Sequence, residues 1–311
     1  MICKTPHRRV SFRSGVILLA ILAACGVFGG EHAHAAPLAS AATAPRADRI
    51  AVTVTGKGPD VVLIPGLASS GAVWDATVKQ LATSHRVHVV QVAGFAGAPV
   101  GGNADGPVVE PVVEAVNGYI KSAKLKSPAV IGHSMGGFTG LLLARRHPES
   151  IGRLMIVDSL PFFSVLFSPA ATVESVKPQA AAMRDGTIAM SPEAFASQQA
   201  MTMPRFVKSP EGLKLALDWS KTSSQSVVAR AMYDLLTTDA RGELVAIRTP
   251  TTLLYPYDPA MGAPTTAVDK MYADAYAALP GVSLKRVDDA RHFIMLDQPT
   301  AFAAAVEAFL K

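Results

Sequence analysis

The sequence predicts an α/β fold: a mostly parallel, doubly wound sheet with helices on both faces and a helical cap inserted late in the chain. Three observations predict it. Short apolar runs alternate with stretches of helical length between residues 50 and 159. Several of the runs, Asp60-Val-Val-Leu-Ile64 among them, are apolar almost throughout, the pattern of strands buried on both faces of a parallel sheet. The rhythm then breaks. Residues 160–247 hold helical segments punctuated by Pro161, Pro169, Pro178, Pro192, Pro204 and Pro210, with no convincing buried strand, and the alternation resumes over 248–311.

Taken in order, residues 1–35 read as an export signal. A basic start (Lys4 to Arg13) precedes the apolar run 16–30, shorter than the roughly 20 residues that span a membrane, and Ala33-His34-Ala35 offers the small residues a signal peptidase accepts. A rival reading ends the signal at residue 24, because Leu22-Ala23-Ala24-Cys25 resembles a bacterial lipobox that would leave Cys25 lipidated. The expectation is therefore an exported protein, periplasmic or secreted, or alternatively a lipoprotein anchored at Cys25, with no transmembrane segment. Residues 36–47 are an Ala/Pro-rich linker, and 48–159 with 248–311 form the core domain.

Within that core, residues 50–55 alternate like a strand and turn at Gly56-Lys-Gly-Pro59. The strand 60–64 ends in Pro65-Gly66-Leu67 and leads to a helix through Trp74, Val78 and Leu81. Residues 86–92 are a strand that runs into a glycine-rich loop and a helix over about 108–123. The stretch 129–131 is a short buried strand, followed by a sharp turn and a helix from near Met135, and 153–157 is a further strand. After the cap come a strand at 251–255, a helix over 265–279, a strand at 282–287 and a last helix from Thr300.

Composition narrows the function classes. Half of the 311 residues are hydrophobic and 17% are charged, as in a compact globular protein. The pI near 9.2 invites a nucleic-acid reading. Without the basic leader, however, 25 basic residues face 23 acidic ones, and no basic stripe with interleaved aromatics exists, so no nucleic-acid partner is expected. Cys3 and Cys25 are the two cysteines, which leaves the mature body without a disulfide, a thiolate metal site or a cysteine nucleophile.

The chemistry-bearing stretch is Gly132-His133-Ser134-Met135-Gly136. A strand passing directly into a helix forces the residue between them into a strained conformation that lifts its side chain clear of the sheet. The flanking positions then come too close for a Cβ, which suits Gly132 and Gly136. A serine hydroxyl is a poor nucleophile until an imidazole takes its proton. Of the five histidines beyond the leader, His292 alone sits in a loop after a late strand. Asp258, after another late strand, is the expected carboxylate that orients it, with Asp288, Asp289, Asp297 and Asp158 as alternatives. The N–H groups of Met135 and Leu67 are the expected oxyanion donors.

On Pro65-Gly66-Leu67, Gly132-His-Ser-Met-Gly136, Tyr257-Asp258-Pro259 and Arg291-His292-Phe293, residues 50–311 resemble the α/β-hydrolase superfamily, in particular its serine esterase and aminopeptidase-like branch with a helical cap. The order serine, acid, histidine is the one such hydrolases use. Pro65 departs from the pattern, since many relatives carry histidine before the glycine. The resemblance implies an acyl-enzyme mechanism with no cofactor and no metal.

Phe162, Phe163, Met203 and Trp219 in the cap are the expected pocket residues, and no acidic cluster awaits a substrate ammonium. The partner expected is thus a small-molecule ester with a small or apolar acyl group. Amide or peptide cleavage and lactone opening remain alternatives on the same triad, and a non-catalytic binding protein is the alternative from another class. Haloalkane dehalogenation is disfavoured, because that reaction wants an aspartate where Ser134 stands.

Overall fold

The computed structural model describes residues 48–311. The expected export signal, lipid anchor and linker lie outside the described residues. Seven strands form one sheet in the order β1-β3-β2-β4-β5-β6-β7. β1 (Ile50–Gly56) runs antiparallel to β3 (Arg86–Val92), and every other neighbouring pair is parallel. The remaining strands are β2 (Asp60–Ile64), β4 (Ala129–His133), β5 (Arg153–Val157), β6 (Thr251–Tyr257) and β7 (Ser283–Asp288).

The inner strands are apolar throughout because both faces are covered. Successive β2 residues turn to opposite sides: Val61 and Leu63 join one core cluster, Val62 and Ile64 the other, and all four are fully buried. One cluster packs β2, β4, β5 and β6 under α2 (Val109–Ser122), α3 (Met135–Arg146) and α8 (Thr265–Ala275). The other packs them under α1 (Asp75–Leu81) and α10 (Pro299–Leu310), where Phe302, Val306 and Phe309 recur at helical spacing. Fully burying one such side chain stabilises by about 1.5–3 kcal/mol. β7 sits at the sheet edge and is largely exposed apart from Val287.

Between β5 and β6 the chain forms α4 (Val173–Ala189), α5 (Pro192–Thr202), α6 (Pro210–Thr222) and α7 (Gln225–Thr237). Pro192 and Pro210 open helices, where a missing N–H costs nothing. Pro178, read from the sequence as a separator, instead lies in the second turn of α4. The Asp234 carboxylate on α7 accepts from the N–H groups of Val108 and Val109 at 2.6 and 3.0 Å, so the inserted helices cap the start of a core helix. Among the described residues, no helix is long and apolar enough to cross a membrane.

The site follows from the topology. From β2 the chain moves to β3 on one side, then crosses to β4 on the other. The crevice of a doubly wound sheet opens at such a reversal, at the carboxyl ends of the strands. Here it lies between the Pro65–Leu67 loop after β2 and the turn after β4, which the pairing of Ile64 with Gly132 holds side by side.

Candidate active site

Ser134 occupies the turn from β4 into α3 with φ 53° and ψ −119°, a strained conformation for a residue with a side chain. It stands at the N-cap of α3, yet its side chain makes no cap hydrogen bond, so the hydroxyl is not consumed by the helix. Close packing accounts for the glycines. A Cβ on Gly132 would meet the Gly136 carbonyl oxygen at 2.1 Å, and one on Gly136 would meet the Ile64 carbonyl oxygen at 2.2 Å. Gly66 is constrained too, though less tightly and by side chains, since a Cβ there would lie 2.9 Å from His133 Nδ1 and 3.1 Å from Ser134 Cβ. Among the described residues, neither the Met135 nor the Leu67 N–H donates to a backbone or side-chain acceptor. Met135 directly follows Ser134 at the positive end of α3, and Leu67 lines the same cavity as Ser134.

His292 lies in the loop after β7, and its Nδ1 is 2.6 Å from Asp158 Oδ2. Asp158 directly follows β5 with φ 45°, held by its N–H to the Leu254 carbonyl at 2.8 Å. Its other oxygen accepts from the hydroxyl of Tyr272 on α8. Burial first, then the Asp158 charge and this hydrogen bond, push the Tyr272 phenol well above its ordinary value and keep it a donor. The adjacent Tyr276 hydroxyl donates to the Ser159 carbonyl at 2.9 Å and fixes the backbone next to the acid.

The expected Asp258–His292 pair is not formed. Asp258 directly follows β6 and its carboxylate turns away, accepting from the Ala260 N–H at 2.7 Å and capping the following turn. Its second oxygen faces Lys208 Nζ at 3.0 Å, off the angle of a well-aimed hydrogen bond, with Arg291 Nε at 3.9 Å. Burial pushes this carboxyl up, but Lys208, the Ala260 N–H and Arg291 together outweigh it and hold it below its usual value. The sheet order does not exclude the pair, because β6 is the direct neighbour of β7; the Asp258 carboxylate is instead committed to the Ala260 N–H and to Lys208, and His292 reaches past it to Asp158. Asp288 pairs with Arg286, Asp289 with Lys208, and Asp297 accepts backbone N–H groups, so none of the alternatives near His292 in sequence reaches its ring.

His133, inside the elbow, is fully buried and its Nε2 is 3.0 Å from the His292 carbonyl oxygen. That oxygen can only accept, so Nε2 carries the proton and Nδ1 is the bare nitrogen. Burial, followed by the charge of His292, holds the His133 imidazole well below its ordinary value despite the favourable backbone carbonyl. The His133 and His292 rings lie 4.4 Å apart, and Phe206 meets His292 edge-on at 5.5 Å.

Ser134, His292 and Asp158 open on one apolar cavity of about 200 Å³ between the sheet and the inserted helices. Leu67 lines it, as do Phe163, Leu166, Met183, Phe195, Met203 and Phe206. Two of the expected pocket residues do not. Phe162 is fully buried with the Arg241 guanidinium over its ring at 4.7 Å, and Trp219 packs into the core beside Met203 and Val207. Among the described residues, no group of three or more side chains is arranged to hold a metal ion.

An elbow serine and a histidine–carboxylate pair on one apolar cavity, with two N–H groups free of protein acceptors in the adjoining turns, define a site of the serine-hydrolase class. The family model described as "Alpha/beta hydrolase family" matches residues 61–305, and the chain belongs to that family. Among curated proteins, the chain is 28% identical to the pimeloyl-[acyl-carrier protein] methyl ester esterase of Aromatoleum aromaticum, over 80% of this chain and 97% of that protein. Among solved structures, a thermophilic esterase from Thermogutta terrifontis superposes with a TM-score of 0.70 at 22% identity, covering 84% of this chain and 92% of that one. The enol-lactonase from Burkholderia xenovorans superposes with a TM-score of 0.66 at 21% identity, covering 84% and 96%.

Proposed function

We propose that the chain is a serine hydrolase that cleaves carboxylic esters with an apolar acyl group through an acyl-enzyme. The observation that carries this reading is the uncapped, strained Ser134 opening on the same apolar cavity as the His292–Asp158 pair. With Nδ1 of His292 held by Asp158, Nε2 is the ring nitrogen left to act as the general base. It takes the Ser134 proton as Oγ attacks the ester carbonyl, and the oxyanion that forms accepts from the Met135 and Leu67 N–H groups. The imidazolium, stabilised by Asp158, then gives its proton to the departing alkoxide. A water activated by the same nitrogen frees the acid and restores Ser134.

The ester linkage is supported by the relative from Aromatoleum aromaticum, whose name specifies a methyl ester. The acyl preference is supported by a lining rich in phenylalanine, leucine and methionine. A volume of about 200 Å³ is below the roughly 300–1,000 Å³ of pockets that take drug-sized ligands, so a single short to medium chain is the proposed acyl group. Hydrolysis of a p-nitrophenyl ester series from acetate to dodecanoate tests both parts. Butanoate to octanoate esters should turn over fastest, and Ser134→Ala should remove hydrolysis and fluorophosphonate labelling together. Full activity in that variant overturns the reading.

Export is proposed on the basic, then apolar, then small-residue order of residues 1–35. The mass of the mature N-terminus tests it: a start at Ala36 supports signal-peptidase cleavage, a lipidated Cys25 supports the anchored form, and an unprocessed chain overturns export.

A further inference from the structure

Asp258 stands where a catalytic acid would be expected, yet it is buried and committed to other partners. Its cationic partner, Lys208, comes from the connection between α5 and α6, about fifty residues earlier in sequence and on the inserted helices. Lys208 Nζ also reaches the Asp289 carboxylate. The backbone around it is bound to the loop carrying His292 on both sides of the histidine. Asp297 Oδ1 accepts from the N–H groups of Lys208 and Ser209, both at 2.9 Å, while its Oδ2 accepts from the Arg291 N–H at 2.9 Å. The Phe293 N–H donates to the Phe206 carbonyl at 3.1 Å. Two residues before Lys208, the Phe206 ring meets the His292 imidazole and lines the cavity.

An exposed ion pair would add little here. The Asp258 side chain is only 4% exposed against 40% for Lys208, so separating the two strands a charge among buried groups. The contacts therefore tie two functional parts together: the wall of the substrate cavity and the loop of the base.

We propose that Asp258 and Lys208 are positioning residues whose ion pair latches residues 204–209 onto the His292 loop and holds Phe206 against the imidazole. The inference rests on the proposed role of His292 as the base. Asp258 then acts through Lys208 and Phe206, without touching the reacting atoms.

A double-mutant cycle with two readouts tests it, using Lys208→Met, Asp258→Asn and both together. The first readout is kcat for p-nitrophenyl acetate and octanoate. The second is hydrogen exchange at the Phe293 amide, which needs no substrate. With the latch, each single variant lowers kcat about tenfold and speeds Phe293 exchange, and the double variant is no worse than either single, the non-additivity expected of residues in contact. Two outcomes overturn the proposal. In one, Asp258→Asn alone silences the enzyme while Lys208→Met does not, which makes Asp258 a direct orienting acid. In the other, neither variant alters kcat or exchange, or their effects simply add. The partly exposed Lys208→Met keeps the test decisive should Asp258→Asn fail to fold. If the wild type hydrolyses no ester, the functional reading fails, while the exchange data still judge the latch.

Discussion

His292 Nδ1 and Asp158 Oδ2 lie 2.6 Å apart, so the histidine after β7 reaches across the end of β6 to the carboxylate just after β5. In the proposed mechanism this pair fixes the imidazole tautomer that leaves Nε2 free to accept a proton from Ser134. Asp158→Asn keeps the shape and removes the charge. Loss of the corresponding charge in a serine protease triad lowers kcat about 10⁴-fold, and a fall of that order is expected here with KM little changed. The check is steady-state kinetics on a butanoate ester. A loss of less than tenfold would remove Asp158 from the mechanism.

Tyr272 is the second holder of that carboxylate, through a hydroxyl buried under α8. Tyr272→Phe retains the ring that stacks on Tyr255 at 4.5 Å but leaves one Asp158 oxygen without its donor. A buried acceptor left unsatisfied costs about 1–3 kcal/mol, and the partly exposed Asp158 should fall at the low end of that range. The variant should therefore unfold at lower denaturant concentration, and kcat should fall several-fold as Asp158 loses its fixed orientation. Equilibrium denaturation read beside kinetics separates the two effects. Wild-type kcat with reduced stability would confine Tyr272 to a structural part.

The elbow was legible in the sequence because its physics is local: Gly132 and Gly136 are required by contacts of 2.1 and 2.2 Å within one turn and the adjoining strand. The parallel sheet was legible for a similar reason, since strands such as β2 are buried on both faces and cannot alternate. The acid was not. Asp158 and Asp258 each follow an apolar strand, and the choice between them depends on a lysine arriving from the inserted helices and on the turn that Asp258 caps, neither of which the local sequence shows. Phe162 and Phe163 are adjacent in an irregular segment with no periodicity to say which faces the cavity; Phe163 does, and Phe162 packs under Arg241. One signal could have pointed to Asp158. Tyr272 and Tyr276 fall one turn apart, on α8 and at its C-cap, and two buried phenols there require acceptors in the neighbouring core.

His133 makes stability depend on pH. Its imidazole is neutral and buried, with its proton affinity held well below the ordinary value near 6.5. Below that pH the unfolded chain binds a proton that the folded chain refuses, so stability falls as pH falls, by up to about 1.4 kcal/mol per pH unit. His133→Gln keeps an N–H donor for the His292 carbonyl and removes the titration. Urea unfolding at pH 6.5 and 5.5, where most carboxylates remain ionised, should show the wild type losing more stability than the variant over that interval. Equal losses would place the His133 proton affinity back in the ordinary range.

Gly66 offers a test of the proposed oxyanion donors. A methyl group there would press on His133 Nδ1 at 2.9 Å and on Ser134 Cβ at 3.1 Å, contacts too tight to keep without a shift. The Pro65–Leu67 loop has to give, because His133 is locked by its bond to the His292 carbonyl and Ser134 by its N–H to the Val157 carbonyl at 2.9 Å. Moving the loop carries the Leu67 N–H away from the oxyanion. Removing one such donor costs about 10²–10³ in kcat. Gly66→Ala should therefore lose on the order of 10²-fold in kcat, with KM within about threefold, because the donor acts on the transition state more than on the bound ester. Fluorophosphonate labelling should slow as well, since the phosphyl oxygen draws on the same two N–H groups. A variant that labels and turns over at wild-type rates would mean that the Leu67 N–H takes no part in the oxyanion hole.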